Sequence, residues 1–457
     1  MSSDEMLKDL KQIVGPDNVL TEKCDLLTYS RDRYSPLFSP HLLKIPLAVV
    51  FPSTTDEVKR IVEAANKHLI PLVPRGRGTS FSGSATPIVE NSVVVDLTKM
   101  NKVIYLDEDA LHVKVQAGIS LKDLEETLNR KGFTFPHDPG SFPSATVGGS
   151  ISTNALGWKV GKYGLLKDLI LGLQVVLPNG TVIETRSMPK SSTGFDIKSL
   201  FIGAEGTLGI ITEATLRIFP MPEKRIILFY AFPSFEDALH ALIKIRKRGL
   251  YPAIQLVTDE AGVEEFVEKG KIGREYRGGL ILVYEGLEGE VEVQKMETLK
   301  VLKAEKCIDL GEDAAKSFWE LRHNMYSLMN KEGQYDSLDT AVPLNKAIEF
   351  YKYLKEWAEK YKIKNLGISS WVFSENVSMD LVFDSSSDIS IREYLKARDE
   401  AVIKALELGG TSSYCVGVGI RYAHLMREEH GVAFDIMRAI KRALDPNNIM
   451  NPGKMGF

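Results

Sequence analysis

The hydrophobic positions of the chain fall into two alternating rhythms. After a short amphipathic helix expected over residues 4–13, residues 22–45 mix aromatics, prolines and charges and predict an irregular lead-in. From Pro46 the order is regular. PLAVVFP reads as a short apolar strand, and TTDEVKRIVEAANKHL as a helix with Val58, Ile61, Val62 and Ala65 on one face and Thr55 as its cap. IPLVPRG and SVVVDLTKM read as buried strands, ALHVKVQAG as a half-buried one, and SLKDLEETLNRKG as a capped helix ending at glycine. This β-α-β-β-β-α order predicts an α+β fold.

A glycine-rich stretch at 139–164 follows. Then come a strand (LILGLQVVLPNG), its hairpin return (TVIETR) and a glycine-rich turn into another strand (FIGAEGTLGIITEATLRIF). The break PMPEK at 220–224 marks a domain boundary. Residues 225–410 carry strand and helix patterns (IILFYAF, EDALHALIKIRKRG, AIQLVTD, GLILVYEG, VQKMETLKVLKAEK) that suit a cap domain on an antiparallel sheet. The remainder, 411–457, holds one long helix (AHLMREEHGVAFDIMRAIKRAL) and the stop DPNNIMNPGK. Four segments are thus expected: 1–45, 46–220, 225–410 and 411–457.

Composition narrows the function. With 57 basic and 61 acidic side chains, the net charge of −4 gives no reason to expect nucleic acid. Cys24, Cys307 and Cys415 are widely separated, so neither a disulfide framework nor a cysteine-built metal site is expected. The N-terminus does not read as a signal peptide, and no apolar run reaches the length of a membrane span. The expected location is the cytoplasm, with any membrane contact made through a partner.

Three glycine-rich segments carry the candidate chemistry. In the first, Arg75, Gly76, Arg77, Gly78, Thr79, Ser80 and Gly83 follow an apolar strand. Glycines let consecutive N–H groups approach an anion, and the hydroxyls add donors. It is not a dinucleotide fingerprint, because Phe81 takes the place of the third glycine and Pro87 stops a helix. The second, Asp138 to Asn154, is dominated by small and hydroxylated residues, a backbone stripped as if something large lies on it. The third, Gly203 to Ile211, is a tight turn into a strand with a single carboxylate, Glu205.

The ordered series PRGRGTSFSG, DPGSFPSATVGGSISTNALG, KYG, GAEGTLGIIT and DPNNIMNPGK resembles the FAD-linked oxidases of the vanillyl-alcohol-oxidase and para-cresol-methylhydroxylase type. The nearest branch holds D-lactate dehydrogenases, D-2-hydroxyglutarate dehydrogenases and the glycolate oxidase large subunit. The resemblance implies a two-subdomain FAD-binding domain over 46–220. Residues 75–80 and Gly83 would hold the pyrophosphate. Pro139, Gly140, Ser141, Thr146, Gly149, Ser152, Thr153 and Asn154 would line the flavin and its ribityl chain. Glu205, Gly209 and Ile211 would touch the adenosine side or the ring, and Asn451 would close over the flavin. The family sometimes links FAD through histidine or cysteine; the first phosphate loop has neither, so FAD is expected to be non-covalent.

On the substrate side the pattern breaks. Hydroxy-acid members carry frames resembling His-x-Gly-Asp-Gly-Asn-x-His and Gly-Glu-His-Gly-Ile-Gly, which supply a metal and a base. Here the first frame reads Trp371 to Ser378, keeping only Asn376, and the second has Cys415 and Val416 where glutamate and histidine belong. No metal is therefore expected. Arg322, in a WELR segment, resembles the family arginine that grips a substrate carboxylate, and Asp339 resembles another position near the substrate. Tyr414, His323 and His424 are candidate acids or bases, and Trp371, Phe373 and Tyr414 would make the pocket more aromatic than the family norm.

The expected function is two-electron oxidation of a 2-hydroxy acid or related alcohol by hydride transfer to flavin. A quinone, an iron–sulfur partner or oxygen would be the acceptor rather than a nicotinamide. The alternatives are chemistry like that of alkyl-dihydroxyacetone-phosphate synthase, without net redox change, and a non-catalytic or electron-relaying subunit. A homo-oligomer is compatible with the sequence.

Overall fold

The computed structural model describes residues 2–34, 42–323, 335–363, 365–373, 376–384 and 389–457. The first subdomain is a four-stranded sheet in the order Val19–Leu20, Ala48–Val50, Val93–Asp96, Leu72–Arg75, with the last three parallel. The amphipathic helix Thr55–His68 covers it, burying Val58, Ile61, Val62 and Ala65. Each buried Val or Ile contributes roughly 1.5–3 kcal/mol. The cap is Thr54, one residue earlier than the sequence pattern indicates: its side chain accepts the Glu57 N–H at 3.2 Å. Adjacent threonines are indistinguishable by type, and only the turn geometry separates them.

The second subdomain is a five-stranded antiparallel sheet in the order Val103–Asp107, His112–Gln116, Ile210–Arg217, Ile170–Val176, Val182–Glu184. The strand Val103–Asp107 has no counterpart in the sequence reading. It is an edge strand that is largely solvent-facing, so it lacks an apolar alternation. The stretch after Asp138, which reads as irregular, contains a short helix, Val147–Thr153, capped by Thr146.

The chain crosses to the cap at 220–224. The cap sheet has seven strands, all antiparallel, in the order Ile308–Asp309, Lys224–Phe232, Gly278–Gly286, Ile254–Thr258, Asn365–Phe373, Asn376–Asp384, Tyr335–Pro343. One face is packed by the helices Phe235–Lys247, Ala347–Lys360 and Ile391–Glu407. On the other, Trp158 of the cofactor region packs with Phe229, Leu256 and Ile281, with Phe318, Trp319 and Tyr414 around them.

The expected single long C-terminal helix is instead two, Met426–His430 and Ala433–Leu444. They are broken at Gly431, whose φ of +53° has no place in a right-handed helix. The tail then returns to the first subdomain. Met450 bridges Leu72 in parallel, and Leu72 N–H donates to Ile449 O at 2.7 Å.

Candidate functional site

The three glycine-rich segments converge on one cleft that is partly open to solvent. Its wall is rich in glycine, alanine, serine and threonine. Arg75 to Ser80, Pro139 to Ser141, Thr146, Gly149, Ser152, Thr153, Glu205, Gly209 and Ile211 all line it, joined from the cap side by Ser337, Asp339, Cys415 and Val416. At Gly76 a Cβ would sit 2.2 Å from Thr146 Oγ1. At Gly78, where φ is +64°, it would strike Arg75 Nη2 at 2.2 Å. A side chain at Gly76 would displace Thr146, and one at Gly78 would have to take a left-handed backbone that favours glycine.

Several expected site residues support the wall from behind. Arg75 donates to Arg31 O at 3.0 Å and Ala85 O at 3.1 Å, so its guanidinium is occupied in holding the loop. Gly83 packs against Ile420 and Tyr34. Asn154 ends the short helix in a left-handed conformation (φ +47°). Asn451 donates to Ser84 O at 2.8 Å and Glu205 O at 2.7 Å, tying the tail to two segments of the wall.

Glu205 and Asp339 share a task that the sequence did not reveal. Glu205 accepts the N–H groups of Val418 (2.6 Å) and Gly419 (2.8 Å), while burial pushes its carboxyl up to about 7. Asp339 accepts the N–H groups of Cys415 (3.0 Å), Val416 (3.0 Å) and Tyr414 (3.2 Å) and the Ser413 hydroxyl (2.8 Å). The second family frame, which has lost its glutamate and histidine, thus forms a nest of amides around carboxylates from both halves of the molecule.

Behind the second segment lies a charged cluster. His323 Nε2 hydrogen-bonds Asp138 Oδ1, and its ring stacks on Phe142 at 5.0 Å between centroids. Arg322 Nε reaches Asp138 Oδ2 at 3.3 Å, with its guanidinium 3.6 Å from the centre of the Trp319 ring. Burial, the largest influence on Asp138, acts upward, but the His323 hydrogen bond and the Arg322 charge outweigh it and hold the carboxyl at about 2. Next to it, His137 is buried and pushed down to about 4 by that burial. Glu285 accepts from Arg225 Nε at 2.7 Å and Tyr163 OH at 2.9 Å, and pairs with Lys159 at 3.2 Å.

Arg322 and His323 therefore sit together on the Asp138 loop. Tyr414 belongs to the apolar layer that includes Trp319, and its N–H donates to Asp339. His424 pairs with Asp399 at 2.8 Å on the surface. The side chains of Trp371, Phe373 and Ser378 and the placement of 374–375 lie outside the described residues. Among the described residues no group of three or more His, Cys, Asp or Glu is arranged to hold a metal, and no helix is long and apolar enough to cross a membrane. Asp138, Lys159, Arg225 and Glu285 were not picked out by sequence reasoning. Asp138 was quoted within its motif; the other three come together only through the meeting of cap and cofactor regions.

Such a cleft, walled by bare main chain between two small sheets and roofed by an antiparallel cap, defines a dinucleotide-dependent oxidoreductase rather than a nicotinamide-type Rossmann enzyme. The wall fits FAD: it is long, carries few bulky side chains, and offers apolar contacts from Leu97, Trp158 and Ile210.

Comparison with known proteins agrees. Residues 46–186 match the family described as FAD binding domain, and residues 221–455 match FAD linked oxidases, C-terminal domain. Glycolate oxidase subunit GlcD of Bacillus subtilis is 31% identical, covering 100% of this chain and 97% of that protein. D-lactate dehydrogenase of Archaeoglobus fulgidus is 32% identical over 93% of this chain and 95% of that one. The solved structure of p-cresol methylhydroxylase with substrate bound superposes with a TM-score of 0.84 at 20% identity, covering 100% of this chain and 97% of that chain, a likeness of fold. The protein belongs to the FAD-linked oxidase family and is an FAD-dependent oxidoreductase.

Proposed function

We propose that this chain oxidises a 2-hydroxy acid of the D-lactate or glycolate type and passes the electrons to an acceptor other than nicotinamide: a quinone, an iron–sulfur partner or oxygen. The reading is carried by similarity along nearly the full chain to two hydroxy-acid enzymes. We further propose a cytoplasmic protein that reaches any membrane-bound acceptor through a partner.

Residues 75–80 would hold the FAD diphosphate, and the Pro139–Thr153 segment the flavin and ribityl chain. Bound FAD supplies the two-electron acceptor for the hydride leaving the alcohol carbon. The chain itself must fix the carboxylate and take the hydroxyl proton. Arg322 would take the first task by turning from Asp138 and the Trp319 carbonyl, which hold it outside the cleft lining, to the substrate, because a guanidinium binds carboxylate through two parallel donors. His323 suits the second better than Tyr414. With Asp138 accepting the Nε2–H, its Nδ1 is left as the basic nitrogen, and the carboxylate stabilises the cation formed on proton transfer.

The test is anaerobic bleaching of the bound flavin against D- and L-hydroxy acids, sugar acids and aromatic alcohols. A D-hydroxy acid should bleach it. His323→Asn should slow that step by roughly 10²–10⁴-fold, and Arg322→Met should act chiefly on KM for carboxylates. Turnover without bleaching would instead favour the synthase type of chemistry. Complete inactivity alone, with recovery beside an iron–sulfur partner, would favour an electron-relaying subunit.

A further inference from the structure

Lys454 is fully buried and its Nζ has no hydrogen-bond partner. An ammonium group taken out of water without a partner is strongly disfavoured, so a protein keeps one there only when something compensates it. The two carboxyls that act on it electrostatically are Asp32 and Glu205. Both are occupied elsewhere. Asp32 accepts the N–H groups of Tyr34 at 2.9 Å and Ala85 at 3.3 Å, and Glu205 accepts those of Val418 and Gly419. Ser84, Ala85 and Glu205 line the cleft, and Asn451, three residues before Lys454, is fastened to the carbonyls of Ser84 and Glu205. The ammonium therefore belongs to the layer immediately behind the cleft wall.

We propose that Lys454 is the buried counter-charge for the diphosphate of FAD, acting through the wall formed by the 75–85 loop and Glu205. The inference rests on the reading of that loop as the diphosphate site. Of the loop's own arginines, Arg75 is turned into the protein to hold carbonyls, and Arg77 lines the cleft from its exposed side, so Lys454 is the buried one of the cations near the wall. A cation in a buried layer acts on a nearby anion far more strongly than one in solvent.

The experiment measures dissociation constants of FAD, ADP and riboflavin for the FAD-free protein, its Lys454→Met and Lys454→Arg variants, and their FAD-free melting temperatures. Lys454→Met should bind FAD and ADP at least about tenfold more weakly and riboflavin within about twofold of the unmodified protein. Its FAD-free melting temperature should be unchanged or lower, because buried Asp32 and Glu205 lose a nearby cation. Lys454→Arg should keep FAD affinity within about threefold. Equal FAD affinity in Lys454→Met, or riboflavin weakened in the same proportion as FAD, overturns the proposal.

Should Lys454→Met not fold, the unmodified protein still answers. Burial holds Lys454 at about 8, and Asp32 and Glu205 are the charged groups facing it, with Arg75 acting on Asp32. Glu205 ionises at about 7 in both proteins, so the preference for FAD over riboflavin should decline as pH rises through about 8 more steeply in the unmodified protein than in Lys454→Arg. Equal declines in the two proteins overturn the idea. An unmodified protein that ignores ADP and binds riboflavin as well as FAD removes the diphosphate reading itself. Discrimination that survives in Lys454→Met removes only the role of Lys454.

Discussion

His137 and Asp138 are neighbours with opposite electrostatic fates. Asp138 keeps its charge because His323 and Arg322 reach its two oxygens. His137 is buried with Nε2 unpartnered and stays neutral, its ring held near 4 rather than the ordinary 6.5. A histidine with a depressed folded pKa contributes stability above 6.5, and that stability is lost as pH falls through about 4. At about 1.4 kcal/mol per unit the loss amounts to about 3 kcal/mol. Urea unfolding between pH 7 and 4.5 should show this decline in the unmodified protein and a flatter one in His137→Leu. Parallel declines in the two proteins would exclude His137 as the cause. Residue type alone could not have shown it, since a histidine beside an aspartate reads equally well as an ion pair; burial decides.

At the scale of elements, the turn 413–419 is set by carboxylates rather than by its own side chains. Its amides are satisfied by Asp339 from a cap strand and Glu205 from the third glycine-rich segment, so it is held from both sides. Hydrogen bonds to a charged acceptor are worth about 1.5–3 kcal/mol. Asp339→Asn, which keeps the shape and removes the charge, should destabilise the FAD-free protein by about that amount in urea titration. A loss below about 0.5 kcal/mol would mean that the turn is held by other contacts. The amphipathic helix Thr55–His68 and the apolar strands were legible because their periodicity is imposed by a buried face. The edge strand Val103–Asp107, the short helix Val147–Thr153 and the break at Gly431 were not. The first lacks an apolar stripe, the second is built from small residues of weak helix preference, and in the third a single glycine sits inside an otherwise continuous amphipathic pattern.

Across the whole molecule, the cleft gathers residues from Arg33 to Val416, with the C-terminal tail behind it. A ligand that touches all of these segments should stabilise them together. At a free FAD concentration a hundred times its dissociation constant the gain is about 2.7 kcal/mol, or roughly 2–4 °C in melting temperature for a large domain. Differential scanning of the FAD-free protein with and without FAD checks this. Acid precipitation of the loaded protein should release the yellow colour to the supernatant, as expected for FAD held without a covalent bond.

The sequence by itself determined the FAD-binding loops, the α+β order and the break between cofactor and cap halves. Glycine and hydroxyl spacing and apolar periodicity are local properties, written where they act. Tertiary structure decided which charges are engaged. Glu205 and Asp339 serve as acceptors for one turn, Arg75 as a brace, His323 as the partner of Asp138, and Lys454 as a buried ammonium near Asp32 and Glu205 without a hydrogen bond. The energy of a charged group depends on its burial and on neighbours hundreds of residues away in the chain, and neither is set by local spacing.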